Sequence, residues 1–162
     1  NLKWNQINFE KKILTIPREN MKLSNINLDD FVMPLTDEVI KILKEHKDMQ
    51  LFSINAKEYV FLGFNNRQAI NKESPNRALY RLGFNDEKKG TKIRLHGFRG
   101  TFRSLIDTLD TKNRFPFEVK ERALDHHDKN LVARSYNHKA NYHEQMIELM
   151  KFWSKFICSL KT

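Results

Sequence analysis

The sequence predicts an α+β fold, mainly helical, with a small three-stranded antiparallel sheet near the N-terminus. Three observations predict it. Short β-branched runs crowd into the first third, apolar residues recur at helical spacing from Thr36 onward, and strands nowhere alternate with helices as a parallel sheet requires. The 162 residues suit one domain over 1–162, and 40% hydrophobic against 30% charged residues is a globular composition. At this length ~70% of the unfolded surface can be hidden, enough for a core.

The strands come first. "KILTIP" (12–17) is β-branched and ends at a proline, and "DFVMPL" (30–35) is a second such run. The polar, Asn-rich "RENMKLSNINLD" between them suits a hairpin loop, and "WNQINFE" (4–10) supplies a third short strand. "TDEVIKILKEH" then opens a helix, with Thr36 as cap, acids in the first turn, and Val39, Ile40, Ile42 and Leu43 as its apolar face. "EYVFLGF" (58–64) reads as a short extended run. The next stretch reads as helix around Ala69 and Ile70 and again from Asn76, with Pro75 separating or kinking the pieces. "NDEKKGTKI" (85–93) is a charged loop.

The second half is helical. Residues 96–109 carry the stripe Phe98, Phe102, Leu105, Ile106 and Leu109, although two glycines weaken the start. "PFEVKERAL" (116–124) begins with proline at the first helical position. "DHHDKN" interrupts the pattern and "LVARSYNH" (131–138) resumes it. Residues 142–160 form a long amphipathic helix with Met146, Leu149, Met150, Trp153 and Ile157 on one face.

Charge narrows the function. A formal net charge of +9 points to a polyanionic partner, of which nucleic acid is the commonest. The single cysteine, Cys158, excludes a disulfide framework or a Cys-based zinc site within one chain, and a reducing cytosol is expected. No apolar run approaches the ~18–20 residues of a membrane span. "NLKWNQINFEKK" lacks the apolar centre of a signal peptide and enters in mid-pattern without a starting Met, which reads as a piece of a longer protein.

Four places could carry chemistry. In "HGFRGTFRS", His96 and Arg99 stand three apart, on one helical face, with Arg94 and Arg103 nearby. A guanidinium fork matches two phosphate oxygens, and an imidazole donates or moves a proton near neutral pH. The plainer reading is a helix start with a buried histidine and a solvated arginine. "LDHHDKN" (124–130) has ligand-type residues, but adjacent side chains cannot all face one ion, and no spaced ligand set accompanies them. A polar loop, or one histidine acting on a proton or a phosphate, fits better. Tyr136 in "RSYNH" is either a packed tyrosine or a nucleophile, and a nucleophile needs the charge on phosphorus compensated. Lys22 in "ENMKLSN" is one of many lysines, on the presumed hairpin loop.

Taken in order, these pieces resemble a family. Lysine on a hairpin, then H-x-x-R, then L-x-H, then tyrosine is the order of the tyrosine recombinases, the phage-type integrases of prophages and genomic islands. "LKWNQINFEKKILTIPRENMK" resembles their hairpin region. "HGFRGTFRS" resembles their H-x-L-R-x-T-F segment, with Phe98 where leucine is common, and "ALDHHDKNLVARSYNHKA" and "HEQMIELMKFW" resemble their ending.

The resemblance implies a tyrosine recombinase catalytic domain and a role for each position. Tyr136 is the nucleophile that forms a 3′-phosphotyrosyl link. His96 and Arg99 grip the scissile phosphate, His126 holds the L-x-H position with His127 merely its neighbour, and Lys22 protonates the leaving 5′ oxygen. The link conserves the phosphodiester energy, so no cofactor and no metal are implied. The partners implied are double-stranded DNA attachment sites and other protomers on DNA, in the bacterial cytoplasm. The family's further arginine, expected just before "LKW", is not among these residues, so the fragment alone is expected to be nearly inert. The alternatives are a non-catalytic DNA-binding module of the same fold, a type IB topoisomerase-like enzyme, and a metal-dependent nuclease using "DHHD".

Overall fold

The computed structural model describes residues 1–21, 28–50, 58–64, 68–126 and 142–160. Lys22, His127, Tyr136 and the helical reading of 131–138 lie outside these residues.

Three strands, β1 (Ile7–Asn8), β2 (Ile13–Ile16) and β3 (Phe31–Pro34), form an antiparallel sheet in the order β1-β2-β3. The register pairs Leu14 with Met33 and Ile16 with Phe31. Proline ends β3, an edge strand, where a missing N–H can be tolerated. The third strand is far shorter than 4–10. Trp4–Gln6 form a 3-10 turn, and only Ile7 and Asn8 pair. The reason is the burial of Trp4: its indole packs with Ile7, Leu43 and Val60 and donates to Gln50 Oε1 at 3.2 Å. An aromatic pattern was legible as a strand, but the side chain is placed by a turn.

Helix α1 (Asp37–Met49) starts where expected, with Thr36 in the cap position. The Thr36 hydroxyl makes no cap bond, however. It donates to Ser154 Oγ at 3.0 Å, and Ser154 donates to Glu38 Oε2 at 2.8 Å. Residues 58–64 are not a strand but make isolated bridges, Tyr59 to Lys3 and Leu62 to Ala69. That second bridge also corrects the helix expected around Ala69 and Ile70. Helix α2 (Ser74–Arg81) begins at Pro75's own first turn, so the proline opens one helix and does not divide two.

The helices that place the site are α3 (Gly97–Leu109), α4 (Phe117–Arg122) and α5 (His143–Ser159). Pro116 caps α4 from one position earlier than expected. Phe102 and Ile106 of α3, Val119 of α4, and Met146 and Leu149 of α5 close one core, with Met33 of β3 against it. Phe102 meets Trp153 edge to face at 5.0 Å. The apolar stripes were narrower than the sequence indicated: Phe98 is 50% exposed and Ile157 39% exposed. Phe98 lies in the first turn of α3 and Ile157 in the last turns of α5, beyond the residues that cross α4. Between α3 and α4, Asp110 is 2% exposed and accepts from the backbone N–H of Arg114 and Phe115 at 2.9 and 3.0 Å. No helix among the described residues is long and apolar enough to cross a membrane.

Candidate active site

His96 caps α3, and Arg99 follows one turn later. Both are exposed, in a stretch 91–100 that is exposed throughout and contains Lys92 and Arg94. The buried-histidine reading of His96 therefore does not hold. Arg99 lies on the same side of α3 as the core residues Phe102 and Ile106, one and two turns further on, but in the exposed first turn of the helix.

Arg99 reaches across to the end of α4, where its Nη2 donates to the Leu124 carbonyl. That carbonyl belongs to a turn with a defined form. The His126 N–H donates to Glu121 O at 2.9 Å and the Asp125 N–H to Arg122 O at 3.0 Å, a Schellman ending. Asp125 stands in its left-handed position, with φ 51°, where glycine is usual. The side chain explains the choice. Asp125 takes both terminal nitrogens of Arg18 at 2.9 and 3.0 Å, and Arg18 is 6% exposed. Arg18 also gives its Nε to Asp29 O at 2.9 Å, and its N–H goes to Asp30 Oδ1 at 2.9 Å. The "DHHD" stretch thus spends its first aspartate on an ion pair to the β2–β3 connection.

His126 follows at once. Its Nδ1 lies 2.8 Å from Glu121 Oε2. A carboxylate only accepts, so Nδ1 carries the proton, and Nε2 is the nitrogen left to meet a ligand. Burial pushes the Glu121 carboxyl upward, but hydrogen bonds from Arg103 and His126 more than offset this and hold it below the usual carboxylate range. Arg103 donates to Glu121 Oε1 at 2.6 Å and also pairs with Asp107. Lys120 joins Asp107 at 3.0 Å and Asp110 at 3.4 Å.

The structure therefore brings Arg99 and His126 to the same turn and sets His96 on the Arg99 face. Sequence reasoning missed Arg18, Glu121, Lys120 and Asp110. Glu121 precedes His126 by five, a spacing with no helical meaning, and only the turn closes it. Arg103, close to Arg99 in sequence, is already engaged by two carboxylates.

An α+β domain that sets an outward histidine and arginine at a helix start, near a carboxylate-held histidine, has the make-up of a phosphate-handling domain. The sequence matches the model of the phage integrase family over residues 1–143, and the chain belongs to that family. It is 31% identical over 156 residues to prophage integrase IntA of Escherichia coli K12, covering 96% of this chain and 33% of that protein. It is 26% identical over 157 residues to the integrase of Shigella phage Sf6, covering 96% of this chain and 36% of that protein. The integrase of Enterobacteria phage P4 is 21% identical over 164 residues, with 96% of this chain and 35% of that protein covered. The chain thus spans about a third of the length of these relatives. No solved structure gives a significant match.

Proposed function

We propose that these residues form the larger part of the catalytic domain of a site-specific recombinase, which cuts and reseals DNA at attachment sites through a 3′-phosphotyrosyl intermediate. The observation that carries this reading is the anchoring of Arg99 and His126 on one turn, Arg99 on Leu124 O and His126 on Glu121. Tyr136 attacks the scissile phosphorus and gives its phenolic proton to His126 Nε2, while the P–O5′ bond breaks and the 5′ oxygen departs with a proton from Lys22. Arg99 and His96 offset the charge that gathers on the phosphoryl oxygens. His126 presents Nε2 to the same phosphate, where it donates a hydrogen bond or exchanges a proton. Resealing is the same step reversed, with the 5′ hydroxyl displacing tyrosine, so one phosphodiester is recovered for each one broken. Other protomers of the same protein assemble on the DNA for strand exchange.

The experiment is a suicide substrate that loses its 5′ hydroxyl after cleavage. It is incubated with the product of the uninterrupted reading frame that holds these residues, called the full-length protein below. Covalent protein–DNA on a denaturing gel is the expected result. Binding without any adduct replaces this reading with the non-catalytic module, and cleavage that EDTA abolishes replaces it with a metal-dependent nuclease. Two further outcomes are expected. Binding of the 162-residue chain to duplex DNA weakens steeply as salt rises and shows little sequence preference, because neutralised phosphates release counterions; salt-independent retention on a filter contradicts it. In the full-length protein, His126→Ala slows cleavage by ~10²-fold or more, on the scale of lost proton-transfer catalysis, and His127→Ala does so much less. Equal losses in the two variants shift the L-x-H register by one.

A further inference from the structure

We infer that Glu121 is the positioning residue of His126: its carboxylate fixes the imidazole with Nε2 outward, while Arg103 holds Glu121 in place. The inference deepens the reading above and rests on the role given there to His126.

Two tethers join the pair. The backbone N–H of His126 donates to Glu121 O at 2.9 Å, and the ring Nδ1–H to Oε2 at 2.8 Å. The first sets the distance between the two residues and the second the rotation of the ring. An imidazole held this way through Nδ1 has one tautomer when neutral, so Nε2 has a defined lone pair. When that nitrogen gains a proton, the carboxylate across the ring is the nearest countercharge.

A plain surface ion pair would not meet this description. His126 is exposed, but Glu121 is only 21% exposed in its side chain, and its second oxygen is taken by Arg103 Nε at 2.6 Å. Arg103 is itself braced, with its guanidinium 5.2 Å over the Phe117 ring and its Nη1 on Asp107. Asp107 takes Lys120, which reaches the buried Asp110. Charges alternate from His126 to Asp110, so a proton on the imidazole meets a carboxylate that a guanidinium keeps ionised. The other charges beside this turn are committed as well: Arg99 to Leu124 O and Arg18 to Asp125.

The test is a double-mutant cycle in the full-length protein, read as single-turnover cleavage of the suicide substrate, with thermal unfolding recorded for each variant. Glu121→Gln keeps the size and an accepting oxygen but removes the charge. It is expected to slow cleavage ~10–100-fold, as loss of an outer partner of a functional histidine does. In a His126→Ala background it is expected to slow cleavage no further, because the groups act as one unit. A full additional loss in that background overturns the inference, since Glu121 would then act through the fold. Histidine NMR gives a readout independent of rate: the neutral His126 ring is the Nδ1–H tautomer in the parent and loses that preference in Glu121→Ala, and an unchanged tautomer overturns the inference too. If His126→Ala cleaves at full rate, the role of His126 itself is lost and the positioning role with it, whereas His126→Ala impairment with additive Glu121→Gln loss sinks the positioning role alone.

Discussion

Tyr136→Phe in the full-length protein is expected to abolish the covalent adduct on a suicide substrate while leaving DNA binding and the unfolding temperature near those of the parent. The substitution deletes one oxygen and almost no volume. Loss of a nucleophile that works with its neighbours as a unit lowers turnover by ~10⁴-fold or more, which on a gel is no adduct. An adduct that survives in Tyr136→Phe moves the nucleophile elsewhere. Tyr142 is the nearest alternative in sequence, but its ring packs on the core and lies 4.7 Å beneath the Arg122 guanidinium.

Asp125→Ala is expected to destabilise the fold by about 3 kcal/mol, at the lower end of what breaking a buried ion pair costs. The substitution strands the Arg18 guanidinium, 6% exposed, with Asp29 O still accepting from its Nε among the described residues. The Cβ in a left-handed position is common to aspartate and alanine, so its strain cancels from that loss. Asp125→Gly separates the two, because glycine adopts that position freely and recovers about 1 kcal/mol of the loss. Urea unfolding should therefore rank the parent above Asp125→Gly and Asp125→Ala last. If Asp125→Gly equals the parent, the ion pair contributes no more than about 1 kcal/mol, the amount that glycine recovers, and the expected loss is refuted.

Helices α1, α3 and α5 were legible because each carries a run of apolar residues at one period, long enough to survive a glycine pair at 97 and 100. The strand pair β2–β3 was legible because β-branched runs stop at Pro17 and Pro34. The errors fell where a buried side chain or a backbone bridge outranked the local pattern. Trp4 drew its segment into a 3-10 turn, and the bridge from Leu62 held Ala69 out of a helix.

The candidate site divides the same way. His96 and Arg99 could be read together because α3 is one helix, and three residues apart is one face whatever surrounds it. The sequence alone therefore determined α1, α3, α4 and α5, the β2–β3 pairing and the basic balance, and it offered Lys22, His96, Arg99, His126 and Tyr136 by resemblance. Only the tertiary structure decided that Asp125 belongs to Arg18, that Arg99 leans on Leu124, and that Glu121 and Arg103 stand behind His126. Arg18 and Asp125 are 107 positions apart, and Arg103 and Glu121 are 18 apart. Such partners share no period, and an ion pair between them exists only once the core of α3, α4 and α5 has closed and brought the opposite charges together.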